Sequence, residues 1–163
     1  MPRRRLLILS GLVLAVAALS PAAALSAAKG TDRPLTGTST SVTTLDLATG
    51  TGTTDGTSQL SHFGRATFHN EFTFTITGDT ITLTGTDTEV AANGDELFST
   101  LTITASLSTG EGTGALTVTG GTGRFADASG TSALPTVTST IVSTVGTIVT
   151  TQDTNTIEGR ISY

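Results

Sequence analysis

Beyond a polar lead-in at residues 29–34, apolar and polar side chains alternate with a period of two, and no helical periodicity persists over three turns. The clearest stretch covers residues 66–76. Ala66, Phe68, Asn70, Phe72, Phe74 and Ile76 share one face, while Arg65, Thr67, His69, Glu71, Thr73 and Thr75 share the other. That pattern predicts a long strand, apolar within and polar outside. Thr77-Gly78-Asp79-Thr80 reads as a tight turn into a returning strand over 81–90. Ala92-Asn93-Gly94-Asp95 is the strongest hairpin signal, because Asn-Gly tolerates the positive φ angles of a type I′ turn.

The same reading continues to the C-terminus. A strand over 96–107 carries Leu97, Leu101, Ile103 and Leu107 on one face, and glycines at 110, 112 and 114 turn the chain into a strand over 115–119. Two strands are expected between 131 and 151, with Pro135 marking an edge, bulge or bend. A last strand over 156–163 points Ile157, Ile161 and Tyr163 inward, and residues 35–47 supply the first. Seven or eight strands joined mostly by hairpins make an all-β chain. A small closed antiparallel barrel of about eight strands accounts for the length of a single domain over 29–163, and closure would remove exposed edges. A two-sheet sandwich fits the same periodicity.

The opening segment has a different character. Arg3, Arg4 and Arg5 precede an apolar run over 6–19, followed by Ala22-Ala23-Ala24 and Ser26-Ala27-Ala28. A basic start, a short apolar stretch and small residues describe a secretory signal peptide over 1–28, cleaved after Ala24 or Ala28. The run is shorter than the roughly 20 residues of a spanning helix. The expected localisation is secreted or extracytoplasmic, with no stable membrane insertion of the mature chain.

Export alters the charge. The 163-residue chain has a formal charge of −5; three of its eight basic residues leave with the leader and all 13 acidic residues stay, so the mature chain carries −8. A field of that sign repels polyanions, which excludes nucleic acid and disfavours anionic membrane surfaces. The 38 threonines favour β structure, and the absence of cysteine excludes disulfides and thiolate chemistry.

Candidate chemistry follows from strand parity. Beyond Ile81 and Leu83, the inward set continues as Gly85, Asp87 and Glu89, which puts two carboxylates on the nominally buried face. Paired carboxyls in a dry pocket separate into an acid and a base, which suits a proton-shuttling cyclisation or isomerisation. If the strand instead leaves the barrel near Thr86, both are solvated. His62 shares the parity of Phe68 and Phe72 unless Gly64 is a bulge, and Asn70 lies between those phenylalanines. His62 with Asn70 and a carboxylate would then form an acid/base site for a hydrophobic substrate. His69 faces outward, so the two histidines cannot share a metal; no metal site and no cofactor are expected. The threonine rows at 73–77, 80–88 and 100–104 form hydroxyl ladders, suited either to ice or glycan binding or to a plain uncharged outer face.

A final feature is Thr119-Gly120-Gly121-Thr122-Gly123-Arg124-Phe125, followed by Ala126-Asp127-Ala128-Ser129-Gly130. It resembles the Gly-Gly-Thr-Gly-x-Phe segment of dirigent proteins and, less closely, that of allene oxide cyclases. The resemblance implies a small eight-stranded barrel with a central cavity, of the kind found in exported bacterial members of unassigned role. Gly120, Gly121 and Gly123 would then form a sharp corner, with Phe125 plugging one end. It also leaves homo-oligomerisation open. Ala126 and Ser129 occupy positions where dirigent proteins carry arginines, so the likeness bears on fold more than on radical coupling. The resulting expectation is an exported barrel that holds a hydrophobic small molecule against Asn70, Phe68 and Phe72 and steers a cofactor-free cyclisation or isomerisation through Asp87, Glu89 and His62. The alternative is a non-catalytic exported surface or binding protein with a filled core. An open cavity reaching Asp87 or Asn70 separates the first from the second.

Overall fold

The computed structural model describes residues 30–163, so the expected signal peptide lies outside the described residues. Eight antiparallel strands close into an up-and-down barrel. They are β1 (Asp32–Asp46), β2 (Thr51–Leu60), β3 (Gly64–Thr77), β4 (Thr80–Ala91), β5 (Glu96–Ser106), β6 (Glu111–Gly121), β7 (Ser129–Val145) and β8 (Ile148–Ser162). The seam between first and last strands is continuous from Asp32↔Ser162 to Asp46↔Ile148. Every strand thus has both edges paired, and the sandwich alternative is set aside.

Alternation sets the lining. The inward face of β3 buries Ala66, Asn70, Phe72 and Phe74, with threonines, His69 and Glu71 outside. Two apolar clusters result. At one end Leu35, Leu60, Phe63, Phe125, Ile157 and Ile161 are among the residues that pack together, and farther along Phe72, Phe74 and Ile81 form a smaller group.

The first cluster seals its end. Gly123–Phe125 forms a short 3-10 turn that swings Phe125 inward to 0% exposure. Its ring stacks on Phe63 at 4.4 Å between centroids, and Tyr163 meets it edge-on at 5.0 Å. The glycines are needed for the corner. Gly123 has φ +54, and a Cβ at Gly121 would collide with the Glu96 carbonyl and the Phe125 side chain. Phe125 therefore fills this end of the barrel and plugs it.

Strand assignment departs from the expectation in three places, one being that β6 begins at Glu111, so that Gly112 and Gly114, expected in a turn, are strand residues. The span 51–60 is a full strand that went unassigned, because its inward positions are Gly52, Thr54, Gly56, Ser58 and Leu60 and carry almost no apolar signal. The two strands expected between 131 and 151 are β7 and the first half of β8, and the strand expected over 156–163 is the remainder of β8. Pro135 lies within a register shift between Ala133 and Thr136, a bulge that spares the missing N–H. The Asn93-Gly94 hairpin is also corrected. Only Gly94 has positive φ, at 87°, and its N–H donates to the Ala91 carbonyl at 2.9 Å. A turn centred on Ala92-Asn93 with a left-handed glycine after it replaces the expected type I′.

Candidate functional site

A cavity of about 600 Å³ occupies the barrel and opens at the end opposite the Phe125 plug, where Leu47, Ile76, Leu107 and Ile141 line the mouth. One side of its wall is aliphatic, from Leu101, Ile103, Leu116, Leu134 and Val137. The other side is polar because of two adjacent register rows. Thr151, Thr43, Thr54, Asn70, Asp87 and Ser99 are successive partners across β8, β1, β2, β3, β4 and β5. The next row toward the plug contains Asp153, Ser41, Gly56, Phe68 and Glu89.

Hydrogen bonds tie the rows together. Thr43 Oγ1 donates to Asp153 Oδ2 at 2.6 Å and lies 2.6 Å from Thr54 Oγ1, while Thr151 Oγ1 donates to Asp153 Oδ1 at 2.9 Å. Over the inner face of β3, Ser58 Oγ of β2 donates to Glu89 Oε1 of β4. Asn70, with its amide oriented to satisfy both ends, donates to Asp87 Oδ1 at 2.5 Å and to the His69 carbonyl at 3.3 Å.

Strand β4 stays within the barrel past Thr86, so Asp87 and Glu89 are only 8% and 7% exposed. Burial is the main force on both carboxyls, since an anion there loses hydration without a cationic partner. Asp87 is raised to about 7, first by desolvation and then by the neighbouring Glu89. Glu89 is also raised to about 7 by desolvation, against the lowering effect of the Ser58 hydroxyl. Two carboxyls that hold and release protons near neutrality can act as general acid and base toward a molecule in the lumen.

Phe68 and Phe72 line the cavity, and small residues make room for them. A Cβ at Gly52 would lie 2.6 Å from the Phe72 ring, and one at Gly56 would overlap the Phe68 ring. His62 is corrected. It stands in the exposed turn between β2 and β3 with φ +68, because the strand begins only at Gly64. That left-handed turn aims Phe63 into the plug and leaves the imidazole outside the lumen. His62, Asp87, Glu89 and Asn70 therefore do not form one constellation; the last three do.

Sequence reasoning missed Asp153, Ser58, Ser41 and the hydroxyl-bearing threonines of β1, β2 and β8. Parity within β8 would have put Asp153 inside, had residues 148–162 been read as one strand. The paired glycines at 52 and 56, facing phenylalanines four residues apart on the next strand, were the available signal for β2. On the outer wall, His69 Nδ1 lies 2.7 Å from Asp55 Oδ1, and hydrogen bonding to Asp55 holds the imidazole pKa above its ordinary value. The expected threonine rows run across β3, β4 and β5 on this curved wall, with Thr73, Thr84 and Thr102 in register. Among the described residues no three histidine, aspartate or glutamate side chains converge as metal ligands. Comparison with protein-family models, with curated proteins and with solved structures finds no match for this chain.

Proposed function

We propose that the protein is an exported barrel that takes an apolar small molecule into its lumen and, at the polar floor, steers a cofactor-free cyclisation or isomerisation of it. The observation that carries this reading is the open cavity of about 600 Å³ that reaches Asp87, Glu89 and Asn70. Its size is that of a small-molecule site, and its aliphatic wall beside a few convergent polar groups is the usual make-up of one. The wall fixes the ligand's conformation, and the two carboxyls exchange a proton with it. The glycine corner and its buried phenylalanine support kinship with the dirigent and allene oxide cyclase barrels. Ala126 and Ser129, in place of arginines, argue against phenoxy-radical coupling as the reaction.

Occupancy is tested by filling the lumen. Leu116 lines the cavity and is only partly buried. Leu116→Trp is expected to abolish the fluorescence gain of the neutral dye Nile red while leaving the β-sheet circular dichroism intact. Undiminished dye binding in that variant would place the apolar site elsewhere. A native mass spectrum of protein purified from its source is expected to carry the extra mass of a retained metabolite.

A further inference from the structure

The charge inside and around the cavity is one-sided. Its lining contains three carboxyl side chains, those of Asp87, Glu89 and Asp153, and no Lys, Arg or His. The mouth continues the bias, with Asp46, Asp79 and Glu111 at the strand ends around it. All four arginines of the described residues, Arg33, Arg65, Arg124 and Arg160, sit at the plugged end. An anionic head group entering this lumen would meet no cationic side chain in a poorly hydrated space, and would oppose ionisation of the three carboxyls.

The unmet hydrogen-bonding capacity has the same polarity. Ser41 is 7% exposed, lines the cavity, and makes no hydrogen bond to another described side chain. Asn155 uses its amide nitrogen on Ser39 Oγ at 3.0 Å, while its Oδ1 is buried without a partner. The second oxygen of Asp87 has no protein donor either. The Ser41 hydroxyl can accept as well as donate, and the lumen carboxyls accept once ionised, so a ligand that brings N–H groups and positive charge complements them. A bare metal ion is a poor match, because the three carboxyls do not converge as a ligand set.

We propose that the lumen selects a protonated organic amine, whose apolar body lies along Leu101, Ile103 and Leu134 while its ammonium group reaches the acceptors around Asp87, Ser41 and Asp153. The proposal rests on the reading of the lumen as a ligand site and adds the chemical class. Buried, unpaired carboxyls become favourable once a cation sits beside them, so amine binding draws protons off the protein. The titratable groups facing the ammonium from every strand around it are Asp87, Glu89 and Asp153 alone.

The test is displacement of Nile red from the full mature chain by three dodecyl compounds that differ only in the head group: dodecylamine, 1-dodecanol and dodecanoate. Dodecylamine is expected to bind at least about tenfold more tightly than the alcohol, with dodecanoate weakest. Calorimetry at pH 6 in two buffers of different ionisation enthalpy is expected to detect proton release with the amine and none with the alcohol. Asp87→Asn, a near-isosteric change, is expected to shrink the amine-over-alcohol ratio severalfold. Equal binding of alcohol and amine, or preference for dodecanoate, overturns the amine assignment and leaves the lumen as a ligand site. Failure of all three to displace the dye, with no dye bound in the first place, overturns the ligand reading itself.

Discussion

Asp87 and Glu89 are the two side chains whose surroundings depart furthest from what their chemistry prefers. Both are held above their ordinary carboxyl range, so between about pH 4 and pH 7 the folded protein binds more protons than the unfolded chain. The stability contributed by these two groups therefore falls as pH rises through that window and levels off above it. Asp87→Asn and Glu89→Gln are each expected to match the parent near pH 4 and to exceed it at pH 8, by on the order of 2 kcal/mol. Urea unfolding across pH 4–8 measures this, and a flat profile for the parent would mean the carboxyls are hydrated. Phe125 is the opposite case, fully buried between Phe63 and Tyr163. Phe125→Ala is expected to cost about 3–5 kcal/mol in the same experiment, because the stacked neighbours cannot close the gap.

The connections differ in what they ask of their glycines, and two of them make a controlled comparison. Gly146 has φ +62 in the β7–β8 turn, and a Cβ there would meet nothing within 4 Å. Gly146→Ala thus costs only the left-handed backbone penalty, about 1 kcal/mol. Gly121 ends β6 against the Glu96 carbonyl and the Phe125 side chain, so its cost is steric. Gly121→Ala is expected to destabilise by more than Gly146→Ala and also to displace the Phe125 plug. Increased quenching of Tyr163 fluorescence by iodide would report that displacement, and equal effects of the two variants would deny the corner its packing role. The corner at Gly121 was expected from its resemblance to a known glycine segment, whereas the turn at Gly146 was not singled out in the sequence. The inner face of β2 was not legible either, since Gly52 and Gly56 serve rings contributed by another strand.

Closure gives the molecule its two unlike ends. Four arginines, the aromatic plug and the last residue gather at one, and the apolar mouth with its acidic margin forms the other. The seam is as regular as any hairpin in the barrel, and Ser162 Oγ donates to the Gly30 carbonyl at 2.6 Å. A circular permutant joining 163 to 30 through a short glycine linker and opened at Gly146 is therefore expected to unfold in one cooperative thermal transition. Two transitions, or a species that aggregates on purification, would show that the β1–β8 seam depends on a covalent β7–β8 hairpin.

What the amino-acid order determined unaided was local and periodic: the inward and outward sets of β3, β4 and β5, and the turns at Gly78, Gly94 and Gly110. Those follow from backbone sterics and from the two-residue repeat of a strand, which act over a few neighbours. The choice of barrel over sandwich, the burial of Asp87 and Glu89, the exclusion of His62 and the inclusion of Asp153 were decided only when strands distant in sequence came into register. Whether a carboxyl is wet or dry depends on which side chains stand across the lumen from it, and no window along the chain contains them.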